Sequence, residues 1–581
     1  MALTVRLPPQ SISKRQNALD PAAWRNWLDA LPSTVSGSRL LLKHLRWFNR
    51  TLVTAAPRAE LLERIDPAVR THAAFDHGHI RGLRLPLPAS AERAFGIGQA
   101  LLEALATAHL GLAVDAHADQ PDDPLVVQGV RAALDLRGEY LLRATQVYAP
   151  VPATFWHDVH AMHAWAEAVG VATQPIDDRT PVDAYKRVLL FAIGHGHGLR
   201  RTDAERVWGL LERWSLHAEL TPLRETVDHT AFAVDLDAAE PPRRLKLMPT
   251  HARGDYRYLE VGRVIKAASH LRGIRDAGSP RGTLSRNALD RLLGNWRQEA
   301  MRRSTRRRRG QRVDIEVSLH SIRERLVTDD HSAATAATAG TDPRESLSIQ
   351  RDTDETRDPY AGFVSHPGRV VETRRDDVWS RSIERKSDAY FRERSGVEAS
   401  GLLAAKRNPH QAWRLVDQSP RGFGLEWAGR GNAHVTVGEL IALNVQTGGH
   451  AYLRIGVVRW LCYGEGGRLT LGAQTLAEGA LAGRLYRPAR AGTQGAGEPA
   501  LILGHDPQYP EPHQIIMPAH RFAADEKLEL DCEGTQFRVS VGGLREETGS
   551  FALCGLEMTP KTKQADGEDG GNDGVPEWEI L

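Results

Sequence analysis

Two arginines and an acidic corner are the residues of this chain best suited to hold a ligand. Arg308 and Arg312 stand four apart where a charged run enters the alternating stretch Val313-Asp314-Ile315-Glu316-Val317. About a hundred residues later the chain reads Arg414-Leu415-Val416-Asp417-Gln418-Ser419-Pro420-Arg421-Gly422-Phe423-Gly424-Leu425. A guanidinium is a planar fork of donors that grips phosphate, pairs with the O6 and N7 edge of guanine, or lies flat on a purine. An ionised Asp417 only accepts hydrogen bonds, which suits the N1 and N2 donors of guanine. Ser419 offers a hydroxyl to a phosphate or base edge. Gly422 permits a turn with positive φ and lets a ligand approach the backbone. This set recognises a guanine nucleotide or phosphate better than it catalyses.

These residues need strands to hold them. From Gln411 the pattern is β: Trp413 to Val416, Gly424 to Trp427, Leu440 to Leu443, Tyr452 to Leu461 and Arg468 to Gly472, with glycine-rich turns between. Short strands so spaced predict a small barrel or sandwich. Candidate strands of a second β block lie at 501–503, 514–517, 527–530, 536–541 and 551–553, after a glycine-rich linker at 491–498. Residues 20 to 220 repeat apolar residues at helical spacing, and Asp20 stands in the capping position before Pro21. Helices are predicted at 57–65, 89–112, 124–148, 155–169, 182–193 and 202–218, as a bundle or a solenoid.

The two polar segments together resemble the PilZ family of cyclic di-GMP receptors. The matching pattern is Arg308-x-x-x-Arg312 followed by a strand, and Asp417-x-Ser419-x-x-Gly422 between strands. The resemblance covers roughly 308–325 and 411–480, in the C-terminal half only. It implies that Arg308 and Arg312 bind phosphate and guanine, that Asp417 and Ser419 contact guanine, and that Gly422 shapes the turn. Gly456 to Trp460 and Leu471 to Leu476 look like the family's later barrel strands. The family places its two motifs a few tens of residues apart, so residues 326–407 read as an insertion, at little extra closure entropy. A second pair, Arg381 and Arg385, lies nearer Asp417 but no strand follows it.

The expected fold class is α+β and multidomain: an all-helical N-terminal region, then a PilZ-like antiparallel β-barrel and a second small β domain. The expected division is a helical scaffold at 1–225, a mixed connector at 226–300 ending in a helix, and the barrel at 301–325 and 408–482. A largely disordered insertion at 326–407, the second β domain at 499–558 and a disordered tail at 559–581 complete it. Residues 328–358 hold eight Asp or Glu and almost no large apolar side chain, too little to offset the entropy of ordering.

Other features narrow the function. A net charge of +2 imposes no global field toward nucleic acid or membrane. Three widely spaced cysteines, Cys462, Cys532 and Cys554, suit neither a disulfide framework nor a zinc site. No signal peptide and no long apolar run is evident, so a cytoplasmic location is expected. His157, His160 and His163 stand at i, i+3 and i+6 on a predicted helix; the zincin glutamate is missing, and interhelical packing is the expected role. No phosphate-binding loop, nucleophile elbow or dinucleotide fingerprint occurs, so no enzyme, metal or cofactor is expected. The expected ligand is cyclic di-GMP, with an unidentified protein partner on the helical region. Two alternatives stand beside it: a ligand-free adaptor with a degenerate barrel, and a nucleic-acid binder using the seven arginines between Arg302 and Arg312. No aromatic residue interleaves that run, so neither nucleic acid nor membrane is an expected partner.

Overall fold

The computed structural model describes residues 7–11, 20–80, 82–222, 231–247, 254–276, 284–297, 307–308, 310–337, 411–429, 431–447, 450–487, 497–503, 513–519, 526–532 and 534–560. The N-terminal region is helical: α1 (Pro21–Asp29), α2 (Val35–Phe48), α3 (Ala55–Gly78), α4 (Ala89–Asp119), α5 (Pro124–Gln146), α6 (Ala153–Ala168), α7 (Pro181–Ile193) and α8 (Arg201–Trp214). The Asp20 carboxylate accepts from the Ala22 and Ala23 amides and so opens α1. Helices α4 and α5 form the centre of a bundle. By length and composition α4 could cross a membrane, but here it is mostly buried among its neighbours. Helix α3 does not stop near residue 65: Leu61, Leu62, Ile65, Val69 and Ala73 stay buried on one side across Pro67. Burial of that row outweighs the cost of an interior proline, ~3 kcal/mol.

Asp76 on α3 is fully buried beside Gly98 of α4. Burial pushes its carboxyl up to about 6, and the Ser38 hydroxyl, His79 and Arg143 offset only part of that. Because the folded value lies above the unfolded one, ionisation opposes folding: the penalty is complete above that value and vanishes below the ordinary carboxylate range. Asp76→Asn is therefore expected to stabilise the protein by ~1–2 kcal/mol at about pH 7.5, after discounting for solvent screening, and to give no gain near pH 4. Urea melts at both pH values check this.

A connector follows. Strands β1 (Glu219–Thr221), β2 (Phe232–Asp235), β3 (Arg243–Arg244) and β4 (Tyr256–Glu260) form an antiparallel sheet in the order β1-β4-β2-β3. Helices α9 (Gly262–Asp276) and α10 (Arg286–Trp296) then return to the bundle. Leu289, Leu292 and the fully buried Trp296 of α10 belong to the bundle's core.

The first barrel comprises β5 (Arg307–Arg308), β6 (Arg312–Val317), β7 (Gln411–Ser419), β8 (Gly422–Trp427), β9 (Leu440–Thr447), β10 (His450–Tyr463) and β11 (Leu469–Ala477). All pairings are antiparallel, and the β7–β8 hairpin closes the ring β7-β6-β9-β10-β11-β8. Helix α11 (Leu319–Ala337) follows β6 and carries the chain past residue 326 as helix. The remainder of the predicted disordered insertion, with Arg381 and Arg385, lies outside the described residues, as does the tail from 561. The second barrel is closed by β12 (Leu481–Tyr486), β13 (Glu498–Leu503), β14 (His513–Met517), β15 (Lys527–Cys532), β16 (Thr535–Glu547) and β17 (Ala552–Pro560), in the order β12-β13-β14-β17-β16-β15. It begins at β12, ahead of the glycine-rich stretch that the sequence marks as a linker. The expected fold class, a helical region followed by a barrel and a second β domain, is the one observed.

The parts share apolar cores. Ile80, Leu85, Leu87, Val147 and Tyr148 of the helical region join the interior residues of the first barrel in one cluster. The Leu87 amide donates to the Tyr463 hydroxyl (3.2 Å) and the Tyr463 amide to the Tyr148 carbonyl (2.9 Å). Outer-face residues Leu453, Ile455 and Val457 of the first barrel meet Leu501, Ile516 and Phe551 of the second, with Leu319 and Ile322 of α11 in the same cluster. Where all three parts converge, Arg459 of β10 grips both carboxylate oxygens of Glu546 on β16, one at 2.7 Å. Arg291 of α10 donates to the Arg459 carbonyl (2.6 Å) and to the carbonyl of Gly198.

Candidate functional site

The β7–β8 hairpin turns on Pro420 and Arg421, with Ser419 and Gly422 as its last paired residues. The Ser419 hydroxyl donates to the Gly422 carbonyl at 3.1 Å. Gly422 is extended strand and does not use positive φ, contrary to the sequence-based expectation. Its requirement is space: a Cβ there would run into the Ala473 carbonyl of β11, where the two strands approach closely.

The two distant motifs meet on one sheet. Strands β5 and β6 both pair with β7, so Arg308 is the cross-strand partner of Asp417 and Arg312 that of Arg414. Val313, Ile315, Trp413, Leu415, Phe423 and Leu425 fill the barrel. By strand alternation Arg312, Arg414, Gly422, Gly424 and Glu426 face outward. Arg312 is exposed. Arg414 pairs with Glu426 across the hairpin, and Arg468 approaches the same carboxylate at 3.5 Å.

A register shift between Leu415 and Asp417 puts Asp417 opposite Gly424. Its carboxylate lies over that glycine, with Oδ1 2.8 Å from where a Cβ would stand. Any side chain at 424 would displace the carboxylate. The outer surface of the hairpin thus carries an acceptor, exposed guanidinium groups and bare backbone, features able to take a flat polar ring with attached phosphates. Gly424 was not singled out from the sequence; a glycine inside a strand pattern was the available signal.

The histidines do other work. His160 Nδ1 lies 2.6 Å from the Tyr185 hydroxyl and its Nε2 2.8 Å from the Glu240 carbonyl. Burial first, then the neighbouring histidines, pulls its pKa down to about 3, so it is neutral. His163 stacks on Tyr185 with centroids 4.0 Å apart and meets Glu167 at 3.1 Å. The Tyr185 contacts join α6 to α7, the Glu240 contact joins α6 to the connector, and the His163–Glu167 contact lies within α6. Among the described residues no cluster of His, Cys, Asp or Glu could hold a metal.

Comparison with known proteins adds two family matches. Residues 22–225 match the N-terminal domain, and residues 231–481 the middle PilZ domain, of the cyclic-di-GMP receptor FimW. The chain is 23% identical over 567 residues to the cyclic-di-GMP receptor FimW of Pseudomonas aeruginosa, covering 92% of this chain and 89% of that protein. No solved structure matches. The likeness is therefore wider than the C-terminal half: it takes in the helical bundle and the connector as well as the first barrel. Taken together the two matches span nearly all of residues 22–481, so over that length the chain is similar to the N-terminal and middle PilZ domains of the cyclic-di-GMP receptor FimW.

Proposed function

We propose that this protein is a cytoplasmic effector that binds cyclic di-GMP on the outer face of the first barrel. Arg308 and Arg312 take phosphate and guanine, Asp417 takes the N1 and N2 donors of a guanine, and Ser419 and Gly422 set the hairpin edge. The observation that carries this reading is the register that pairs Arg308 with Asp417 and Arg312 with Arg414, across about a hundred residues of sequence. The proposed output is a protein partner on the helical bundle. Support for a rigid route comes from the apolar core that bundle and barrel share. A second route leads to the other barrel: Gln474, the cross-strand partner of Gly422, accepts from Arg459 at 2.8 Å, and Arg459 holds Glu546.

Calorimetric titration of the full chain with cyclic di-GMP tests the binding step. Loss of one charge-assisted contact in Arg312→Ala is expected to weaken binding ~10–100-fold. Equal heats in wild type and variant would remove Arg312 from the site. No heat in either protein would favour the ligand-free adaptor.

A further inference from the structure

We propose that the second barrel is a repeat of the first that has exchanged its nucleotide face for a dock, so that the chain carries one nucleotide face and not two. Which face takes the nucleotide rests on the reading above; the dock does not. The two rings are connected alike. Taking strands in chain order, β6 to β11 in the first and β12 to β17 in the second, the first strand pairs with the second and fourth, the third with the second and sixth, and the fifth with the fourth and sixth. In each ring the fifth strand is the longest, β10 with 14 residues and β16 with 13. Each makes two register shifts against the sixth strand.

The second of these shifts aligns the two sheets residue by residue. Just after it in β10, Trp460 pairs with Gly472, Gly472 with Gly424, and Gly424 with Asp417, whose partner on β5 is Arg308. Just after it in β16, Glu546 pairs with Leu553, Leu553 with Ile516, and Ile516 with Leu501, whose partner on β12 is Ala482. The flanking positions agree: Phe423 and Leu425 beside Gly424, like Ile515 and Met517 beside Ile516, fill their barrels. Where the first row has a carboxylate, bare backbone and a guanidinium, the second has Leu501, Ile516, Leu553 and Ala482. By strand alternation these leucines and the isoleucine point out of their barrel, yet all three are buried, in one core with Leu453, Ile455 and Val457 of β10. A row with neither acceptor nor cation, covered by a neighbouring barrel, cannot take guanine or phosphate. The stack also ends there. On the outer face of its fourth and fifth strands, where the first barrel offers those apolar residues, the second carries Lys527, Glu529, Gln536 and Arg538. A polar outer face on the last unit is what closes an array of repeats.

Hydroxyl-radical footprinting of the full chain tests the dock. Phe551 shares the core between the barrels and is expected to be as unreactive as Phe423 inside the first barrel, with exposed Leu52 as the reactive reference. A reactive Phe551 in the wild type overturns the dock. In Leu501→Glu, Phe551 is expected to become reactive while Phe423 stays protected; protection of both in that variant also overturns it. General unfolding of the variant would expose both, and the wild-type comparison then decides. Calorimetric titration of the double variant Arg312→Ala/Asp417→Ala tests the exchange. Loss of all saturable cyclic di-GMP binding is expected, and a surviving site overturns the claim of a single nucleotide face. Absence of binding by the wild type overturns the nucleotide reading instead, and the footprint alone then decides the dock.

Discussion

Asp417→Ala is expected to bind cyclic di-GMP at least about 100-fold more weakly than the wild type, the loss of two hydrogen bonds to a charged acceptor. The acceptor is positioned by the register shift in β7 and by the bare backbone of Gly424, over which it lies. An ionised carboxylate can accept from N1 and N2 of guanine together. An adenine presents an acceptor at N1 and no amine at C2, so the same group discriminates between the two purines. Asp417→Asn is the sharper variant because it keeps the shape. Its amide offers one acceptor and opposes the second donor, so affinity falls and the preference for guanine over adenine cyclic dinucleotides narrows. Competition titrations with both ligands measure this; unchanged preference in Asp417→Asn would place the guanine edge elsewhere.

Glu546→Ala is expected to destabilise the protein by ~2–4 kcal/mol, among the largest effects of any substitution outside the apolar cores. Glu546 is largely buried, with a side chain 16% exposed, and accepts both arms of Arg459. Removing it leaves Arg459 without that partner, next to Arg291. Burial raises the Glu546 pKa, but Arg459, by charge and hydrogen bond, and Arg291 pull it further down, so the net shift is downward. A folded value below the unfolded one means that the pair's contribution is complete above the ordinary glutamate range and is lost as pH falls through the depressed value. The stability difference between wild type and Glu546→Ala should therefore be constant above about pH 5 and shrink in acid. Chemical denaturation across that range checks both the size and the sign. If the Gln474–Arg459–Glu546 chain also carries the signal, the variant will alter nucleotide affinity at a site it does not touch.

The sequence by itself determined the class of each region. Apolar residues at helical spacing, with Asp20 as a cap, specify helices, because periodicity and capping are local. Alternation in 411–472 specifies strands for the same reason. The residues Arg308, Arg312, Asp417, Ser419 and Gly422 were legible as a set because their chemistry and spacing match a known pattern. The reason for Gly422 was not: strand proximity to Ala473, a contact between segments fifty residues apart, decides it.

Only the tertiary structure decided which of these pieces share a surface. Strand pairing sets Arg308 opposite Asp417, and no local pattern encodes a pairing across about a hundred residues. Likewise the sequence gives no sign that Trp460 reclines over Gly472, because a bulge in β10 turns it outward and two glycines on other strands make room. The fusion of bundle and barrel also belongs to the fold: Ile80, Leu85 and Leu87 read as ordinary residues between helices and become core only when Tyr463 and its neighbours close over them. Periodicity acts over a few residues and is written in the chain; the register of distant strands is chosen by the burial that the whole assembly achieves.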